Sequence, residues 1–522
     1  MNFNHFKKQL CLILTVSLHV AAFSQPIEIT ASQPDVNSSS TSIHKIIGHD
    51  GDNYFVVKHH SNQFYLEKLD RDLNFIAGRP IKLNESLKTY YLETIVHFHN
   101  EIYVLASRSK LNETVLYYQK IDKNNLLPST EMIELATIGM IRGSWADFQV
   151  SLSRYEQKLI VFCRTKLTWS GVQFNEFYVF DRDLELVWKR KDSYVFKGQG
   201  PRENELVVDE TGNVSILSMG KRESVLSLIR KVKNSYSIYR YTNDGRDFKE
   251  YPVTYDDKYI RGIKITGSAT GELYCAGLYS EMYRPGMRGT FFFKIHASDG
   301  MIYDQVMNKF DDALLGRLTA MKEPTIEEEE VIQYKMTDLV LRDNGKLILI
   351  AEQLFSQSYN TYNNLIITCL DTRGQSYWSQ VVQKRQDFNF NNLVLNEMDP
   401  EDYRDYILDT GILNQDNLNY CSYALMAPLD ASWIILFFND DIRNLNQSAL
   451  VKNFNHPKKS YILAVTLDEF GNITKQPLQP WKKKALFPVP MRYYDTLHNT
   501  IVIPAFRSRK FNYYKITAWP GV

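Results

Sequence analysis

One tag returns along the chain and limits its fold more than any other feature: an apolar or aromatic strand, an aspartate turn, then a strand of alternating pattern. It reads Phe64-Tyr65-Leu66-Glu67-Lys68-Leu69-Asp70-Arg71-Asp72-Leu73, then Tyr118-Gln119-Lys120-Ile121-Asp122-Lys123-Asn124, then Phe177-Tyr178-Val179-Phe180-Asp181-Arg182-Asp183-Leu184, and continues at Asp244, Asp299, Asp371 and Asp468. The first five copies lie roughly 50 to 65 residues apart, the period of a repeat architecture in which no unit buries its own apolar face alone. Asp70 with Asp72, Asp181 with Asp183 and Asp50 with Asp52 invite a calcium reading, but none continues into a full loop with Gly and a distal Glu. Turn chemistry accounts for them, because an aspartate side chain folds back onto backbone N–H groups that a tight turn leaves unpaired.

Each unit resolves into four strands. In residues 337 to 384, Asp338-Leu339-Val340-Leu341 turns through Asp343-Asn344-Gly345 into Lys346-Leu347-Ile348-Leu349-Ile350-Ala351. Asn364-Leu365-Ile366-Ile367-Thr368-Cys369-Leu370 then turns through Asp371 to Gly374 into Tyr377-Trp378-Ser379-Gln380-Val381-Val382. First turns of the same kind stand at His49 to Asp52, His99-Asn100, Asp209 to Gly212 and Ser268 to Gly271. Second strands such as Lys158-Leu159-Ile160-Val161-Phe162-Cys163 are almost wholly apolar, as a strand covered on both faces must be. Four-stranded meanders with a continuous buried strand, set around an axis, are β-propeller blades.

The expected fold is therefore all-β: a single β-propeller of four-stranded antiparallel blades, eight in number, with seven as the alternative count. Blades centre on residues 43–82, 90–135, 147–195, 205–253, 259–310, 337–384, 419–478 and 487–519. The eighth has only three strands, near Phe487 to Tyr494, Asn499 to Ala505 and Lys510 to Ala518, and Pro26-Ile27-Glu28-Ile29-Thr30 is the segment expected to complete it. Such a join closes the ring and removes the open edge of a sheet.

The chain resembles the β-propeller superfamily over nearly all of residues 25–522. Gly198-Gln199-Gly200-Pro201-Arg202-Glu203-Asn204, followed by Val208-Asp209-Glu210-Thr211-Gly212-Asn213-Val214, is similar to the Gly-x-Gly-Pro and Asp-x-x-Gly-Asn pattern of exported bacterial propellers of the NHL type, and it occurs once. The tryptophan-aspartate signal of WD40 repeats is absent and no Gly-His signal recurs from unit to unit, and the double glycine of kelch is absent as well.

Residues 1–24 read as a secretory signal peptide: Lys7 and Lys8, the apolar run Leu10 to Leu18, then small Ala22 and Ser24 before Gln25. The expected protein is exported, periplasmic or secreted, with no transmembrane segment. Hydrophobic residues make up 44% of the chain and charged residues 23%, enough apolar material for a large core. Lys plus Arg number 61 against 60 for Asp plus Glu, a net charge of +1 that points to no nucleic-acid partner. Cys163, Cys275, Cys369 and Cys421 are too widely spaced for a disulfide framework and read as buried thiols.

The turns between strands one and two, and three and four, stay short. The other connections grow, at Lys166 to Gln173, Glu281 to Arg288, Phe355 to Asn363 and in inserts near 311–336, 385–418 and 439–459. All of these emerge on one face of a propeller, where function collects. Thr325 with Glu328 carries a capping-box spacing, so a helix start is expected there. Aromatic and basic residues on the long connections are the candidate binding set: Trp145, Trp169, Tyr283, Arg284, Arg288, Tyr359, Tyr362 and Arg443, with Lys458 and Lys459 beside them. Rings with polar tips and arginine forks suit glycan, peptide or anionic ligands.

Catalytic motifs are wanting: there is no Gly-x-Ser-x-Gly and no His-Glu-x-x-His. Of the early histidines, His59 and His60 point to opposite faces of one strand, while His97 and His99 share a face. No metal, cofactor or catalytic residue is assigned. The first functional reading is a monomeric binding or scaffold protein with a protein or glycan partner on its long-loop face. The alternative is a carbohydrate- or peptide-acting hydrolase or lyase working at the axial funnel, which requires two carboxylates, or a histidine with one, gathered at the inner-strand ends.

Overall fold

In the computed structural model, residues 27–33, 35–36, 41–60, 63–83, 89–139, 146–165, 172–195, 204–220, 235–255, 257–282, 286–320, 326–327, 330–332, 334–356, 359–389, 421–445, 451–454, 460–478, 493–495, 498–507 and 510–519 are described. They form an eight-bladed β-propeller. Seven blades are consecutive antiparallel meanders whose first strands are Thr41–His49, Tyr91–Phe98, Ala146–Leu152, Asn204–Val208, Tyr259–Gly267, Tyr334–Leu341 and Ala424–Met426. Blade 8 combines Tyr493–Asp495, Thr500–Arg507 and Lys510–Ala518 with the N-terminal strand Ile27–Ala31, whose Ile27 faces Ala518 and whose Ala31 faces Tyr514. The ring thus closes through strands from the two ends of the chain, as the leftover strand led us to expect.

Alternation explains the core. In blade 3, Leu159, Val161 and Cys163 turn toward blade 2 and join Phe98, Leu105 and Leu116, while Ile160 and Phe162 turn toward blade 4 and join Leu206, Val214 and Ile216. Second strands sit between two neighbouring blades and are buried throughout, as in Leu273–Ser280 and Ile434–Asp441. Fourth strands, such as Phe75–Pro80 and Asp247–Val253, form the exposed rim. First strands of neighbouring blades pack side by side and line the axis. All four described cysteines are buried free thiols.

The aspartate tag does what its chemistry dictates. One Oδ1 accepts the N–H groups two and four residues on at Asp70, Asp181, Asp371 and Asp468, and in the same way at Asp209 of a first turn, over 2.8 to 3.0 Å. Glycines at positive φ in the turns between third and fourth strands receive groups from the preceding blade. The carbonyl of Gly245 accepts Arg190 Nη1 at 2.7 Å, that of Gly300 the Tyr251 hydroxyl at 2.8 Å and that of Gly374 Asn308 Nδ2 at 2.8 Å. A Cβ on Gly245 would lie 2.5 Å from the Trp188 ring, and one on Gly374 2.0 Å from Phe292, so these positions require glycine for contact as well as for φ.

Two expectations are corrected. The segment Phe355 to Asn363 is no long loop: strands Leu347–Ser356 and Tyr359–Leu370 stay paired out to Phe355 with Thr361 and Ser356 with Asn360. Its polar Asn and Thr residues suggested a connection, but Asp387–Asn389 adds an extra strand there, and the amide oxygens of Asn363 and Asn364 accept the backbone N–H groups of Gln386 and Lys384. The helix lies upstream of the expected start, at Asp312–Ala320, capped by Asp311 and packed through Leu314 and Leu318. Ile326–Glu327 pairs with Glu330–Val331 instead, because the buried Glu330 carboxylate takes the Ser280 hydroxyl and the Glu281 N–H; Thr325 and Glu328 lie outside the described residues. Among the described residues, no helix is long and apolar enough to cross a membrane.

Candidate functional site

The expected binding set does not assemble among the described residues. Trp145, Trp169, Tyr283, Arg284, Lys458 and Lys459 lie outside them, and Tyr359 is described only as part of a strand. Tyr362, expected on an accessible loop, is 2% exposed, because the extended hairpin turns its ring inward. Arg288 is largely covered, with Nε 3.9 Å from Glu281 Oε2. Arg443 is half exposed but its fork is spent on Asp441, at 2.7 Å through Nε and 2.8 Å through Nη2. On this side of the ring the described side chains build supports. The Lys384 ammonium, wholly buried, reaches Glu352 Oε1 at 2.6 Å, the Tyr362 carbonyl at 2.6 Å and Gln386 Oε1 at 3.0 Å, and Glu352 Oε2 accepts the Ser422 hydroxyl at 2.7 Å.

The chemistry gathers instead at the short-turn end of the axis, where inner strands run into their first turns. Arg154 and Tyr155 of blade 3 both reach Asp343 Oδ1 of blade 6, at 2.7 and 2.8 Å. Blades three apart meet in this way only through the space that the ring encloses. Glu210 of blade 4 steadies the pair, accepting the Ser153 hydroxyl at 2.7 Å and the Tyr155 N–H at 2.6 Å.

Beside this bar, His49 from blade 1 meets Asp495 and His498 from blade 8. His49 Nε2 lies 3.1 Å from Asp495 Oδ1, and His498 Nδ1 lies 2.7 Å from Oδ2. The Asp495 side chain is 1% exposed, His49 14% and His498 48%, so a buried carboxylate holds one sheltered imidazole and one facing solvent. Burial alone pushes the Asp495 carboxyl up, but hydrogen bonds from His49, His498 and the His498 N–H outweigh it and hold the carboxyl below its usual range. Tyr54 and Tyr493 flank His49, with ring centroids 5.7 and 6.1 Å away, and burial, seconded by Asp495, pushes the Tyr54 hydroxyl up to about 12.

His97 and His99 do not pair. His97 packs under Gly48 and against Phe55, while His99 occupies the exposed turn at φ 47 and its N–H bonds the Glu156 carboxylate. Sequence reading missed the triad because its members stand at opposite ends of the chain. The one available signal was that each lies at the end of an inner strand or in the first turn after it, in the two blades that must be neighbours if the ring closes.

Against known proteins, no protein-family model matches this chain, and no curated protein matches it. Among solved structures it is similar to an uncharacterized protein from Listeria monocytogenes EGD-e, at 8% identity and TM-score 0.38, over 81% of this chain and 91% of that one. It is also similar to an oligogalacturonate lyase in complex with manganese, at 8% identity and TM-score 0.39, over 95% and 98% of the two chains. A third is prolyl oligopeptidase B from Galerina marginata bound to a 35mer substrate, at 9% identity and TM-score 0.36, over 96% of this chain and 58% of that one. Likeness this distant brings no activity with it, and the eight-bladed propeller rests on the strand pairing itself.

Proposed function

We propose that this chain is an exported propeller, acting as a monomer over residues 25–522, that binds a protein or glycan partner on the face of its long connections. The supporting observation is the asymmetry of the ring. The described strands that the long connections join, Ile302–Lys309 to Tyr334–Leu341, Ser376–Val382 to Ala424–Met426 and Ile434–Asp441 to Ser460–Leu467, meet them at the same end of their blades, whereas first turns such as 50–53, 209–213 and 342–346 are tight. Evolution lengthens loops where a partner is met, and a rigid ring holds them in place. Export is supported by the basic and apolar anatomy of residues 1–24.

The test compares the mature protein with a form in which residues 446–459 are replaced by a short Gly-Ser link, each used for partner capture and on a glycan array. A ligand retained by the first and lost by the second supports the reading; identical capture of every ligand by both counts against it. A hydrolase or lyase at the axial end is the second reading, favoured by His498, whose imidazole is held by a buried aspartate as a general base requires. Under that reading, any turnover of glycan or peptide substrates disappears in His498→Ala.

A further inference from the structure

We propose that His49, Asp495 and His498 form a binding site for a divalent transition cation of the zinc class, spanning the seam where the ring closes. The proposal is independent of the partner-binding reading, because the site lies at the short-turn end of the axis, away from the long connections, and it is an alternative to the axial-enzyme reading, which needs His498 as a free base.

One donor atom from each residue lies within 4.8 Å of those of the other two. Two imidazoles with one carboxylate are the nitrogen and oxygen set that zinc, nickel and cobalt prefer, whereas calcium and magnesium take oxygen. Three protein ligands leave a fourth position for water or a ligand atom. The supports are unequal in a useful way. His49 and Asp495 end inner strands of blades 1 and 8, so the fold fixes their backbones, while His498 sits on the turn with about half its side chain in solvent and can swing onto an arriving ion.

The tautomers specify what loading must change. The Gly51 N–H donates to His49 Nδ1 at 3.0 Å, so the Nε2 proton of His49 points at Asp495. An ion bound to Nε2 moves that proton to Nδ1 and releases the Gly51 N–H to water. Gly51 tolerates this: it is exposed, at φ 96, with open space around it. Because the ligands come from the first and last blades, binding also ties the chain's two ends together, and the stability of the whole ring should register it.

The experiment uses tag-free full-length mature protein, stripped with EDTA and titrated calorimetrically with zinc, nickel or cobalt chloride, with calcium chloride as control. One zinc per chain is expected, with no calcium uptake at the same concentration. The Tm should rise by about 3 °C at a hundredfold excess of zinc over Kd. Asp495→Asn and His498→Ala should each weaken zinc binding at least tenfold and cut the Tm rise at that zinc concentration to about half or less. Since Asp495 is buried, His498→Ala, at a half-exposed position, keeps the test decisive should the first variant misfold. No uptake of any of the three metals overturns the proposal, as does uptake that His498→Ala leaves unchanged; a plain hydrogen-bonded His-Asp-His ladder gives the first of these results.

Discussion

Replacing Lys384 with methionine should cost this protein more than any surface change. Lys384 and Glu352 are both 0% exposed, and the ammonium satisfies three acceptors at once, two of them at 2.6 Å. Lys384→Met keeps the length of the stem but leaves a buried carboxylate facing the Tyr362 carbonyl with no cation between them. Breaking a buried pair from one side costs about 3–5 kcal/mol, because the surviving charge stays buried. The entropy of unfolding scales with chain length and reaches about 1 kcal/mol per degree for a domain this large, so the Tm should fall by about 4 °C. Changing Glu352→Gln as well removes the orphaned charge and keeps an acceptor for Ser422, so the double variant should recover at least half of the loss. The network also anchors the foot of the connection 383–423 through Gln386 and Ser422. Thermolysin cleavage within that connection should therefore speed up in the single variant. Differential scanning calorimetry and timed proteolysis read both effects. A Tm drop below about 1 °C, or a double variant less stable than the single, would refute the assignment of this pair as the anchor.

Three further outcomes are expected. Gly374→Ala, at φ 81 with its new Cβ 2.0 Å from buried Phe292, should lower stability by about 3 kcal/mol or more, while Gly316→Ala, helical and with nothing within 4 Å, should raise it by up to about 1 kcal/mol; urea midpoints measure both. His97 should destabilise the fold on acidification. Burial first, then the charge of Lys123, pulls its imidazole down to about 4, so below its ordinary value near 6.5 the unfolded chain takes up a proton that the folded one refuses. The difference in stability between the wild type and His97→Phe should fall between pH 6.5 and 4 by up to about 3 kcal/mol and level off below, and a flat difference would contradict the burial of the ring. Asp371→Ala, which strips the acceptor from the Arg373 and Gln375 N–H groups, should cost about 1 kcal/mol by the same urea assay.

Blade by blade, what could be read in advance was local. Asp371 and Asp468 announce their turns because the bonds they make span four residues, and Lys158 to Cys163 announces a doubly covered strand because both its faces are apolar. The closing strand was legible as a remainder, one unpaired segment for one incomplete blade. Long-range chemistry was not. His49 carries no mark that sets it apart from His59 or His99, and only ring closure brings it to Asp495. Tyr362 misled for the opposite reason: polar neighbours make a strand look like a loop when their amides cap a third segment, as Asn363 and Asn364 do.

The pairing of Ile27 with Ala518 also fixes how the ring responds to force. The two strands are antiparallel and their outer ends leave from the same end of the pair, so tension applied through the two ends of the chain peels the ladder one hydrogen bond at a time instead of shearing all of it together. Peeling is the weak direction of a sheet. A ring whose blades pack face to face through apolar clusters should therefore yield to a modest pull at its rim, and in a force-extension trace blade 8 should give way first, by loss of Ile27–Ala31 from Lys510–Ala518.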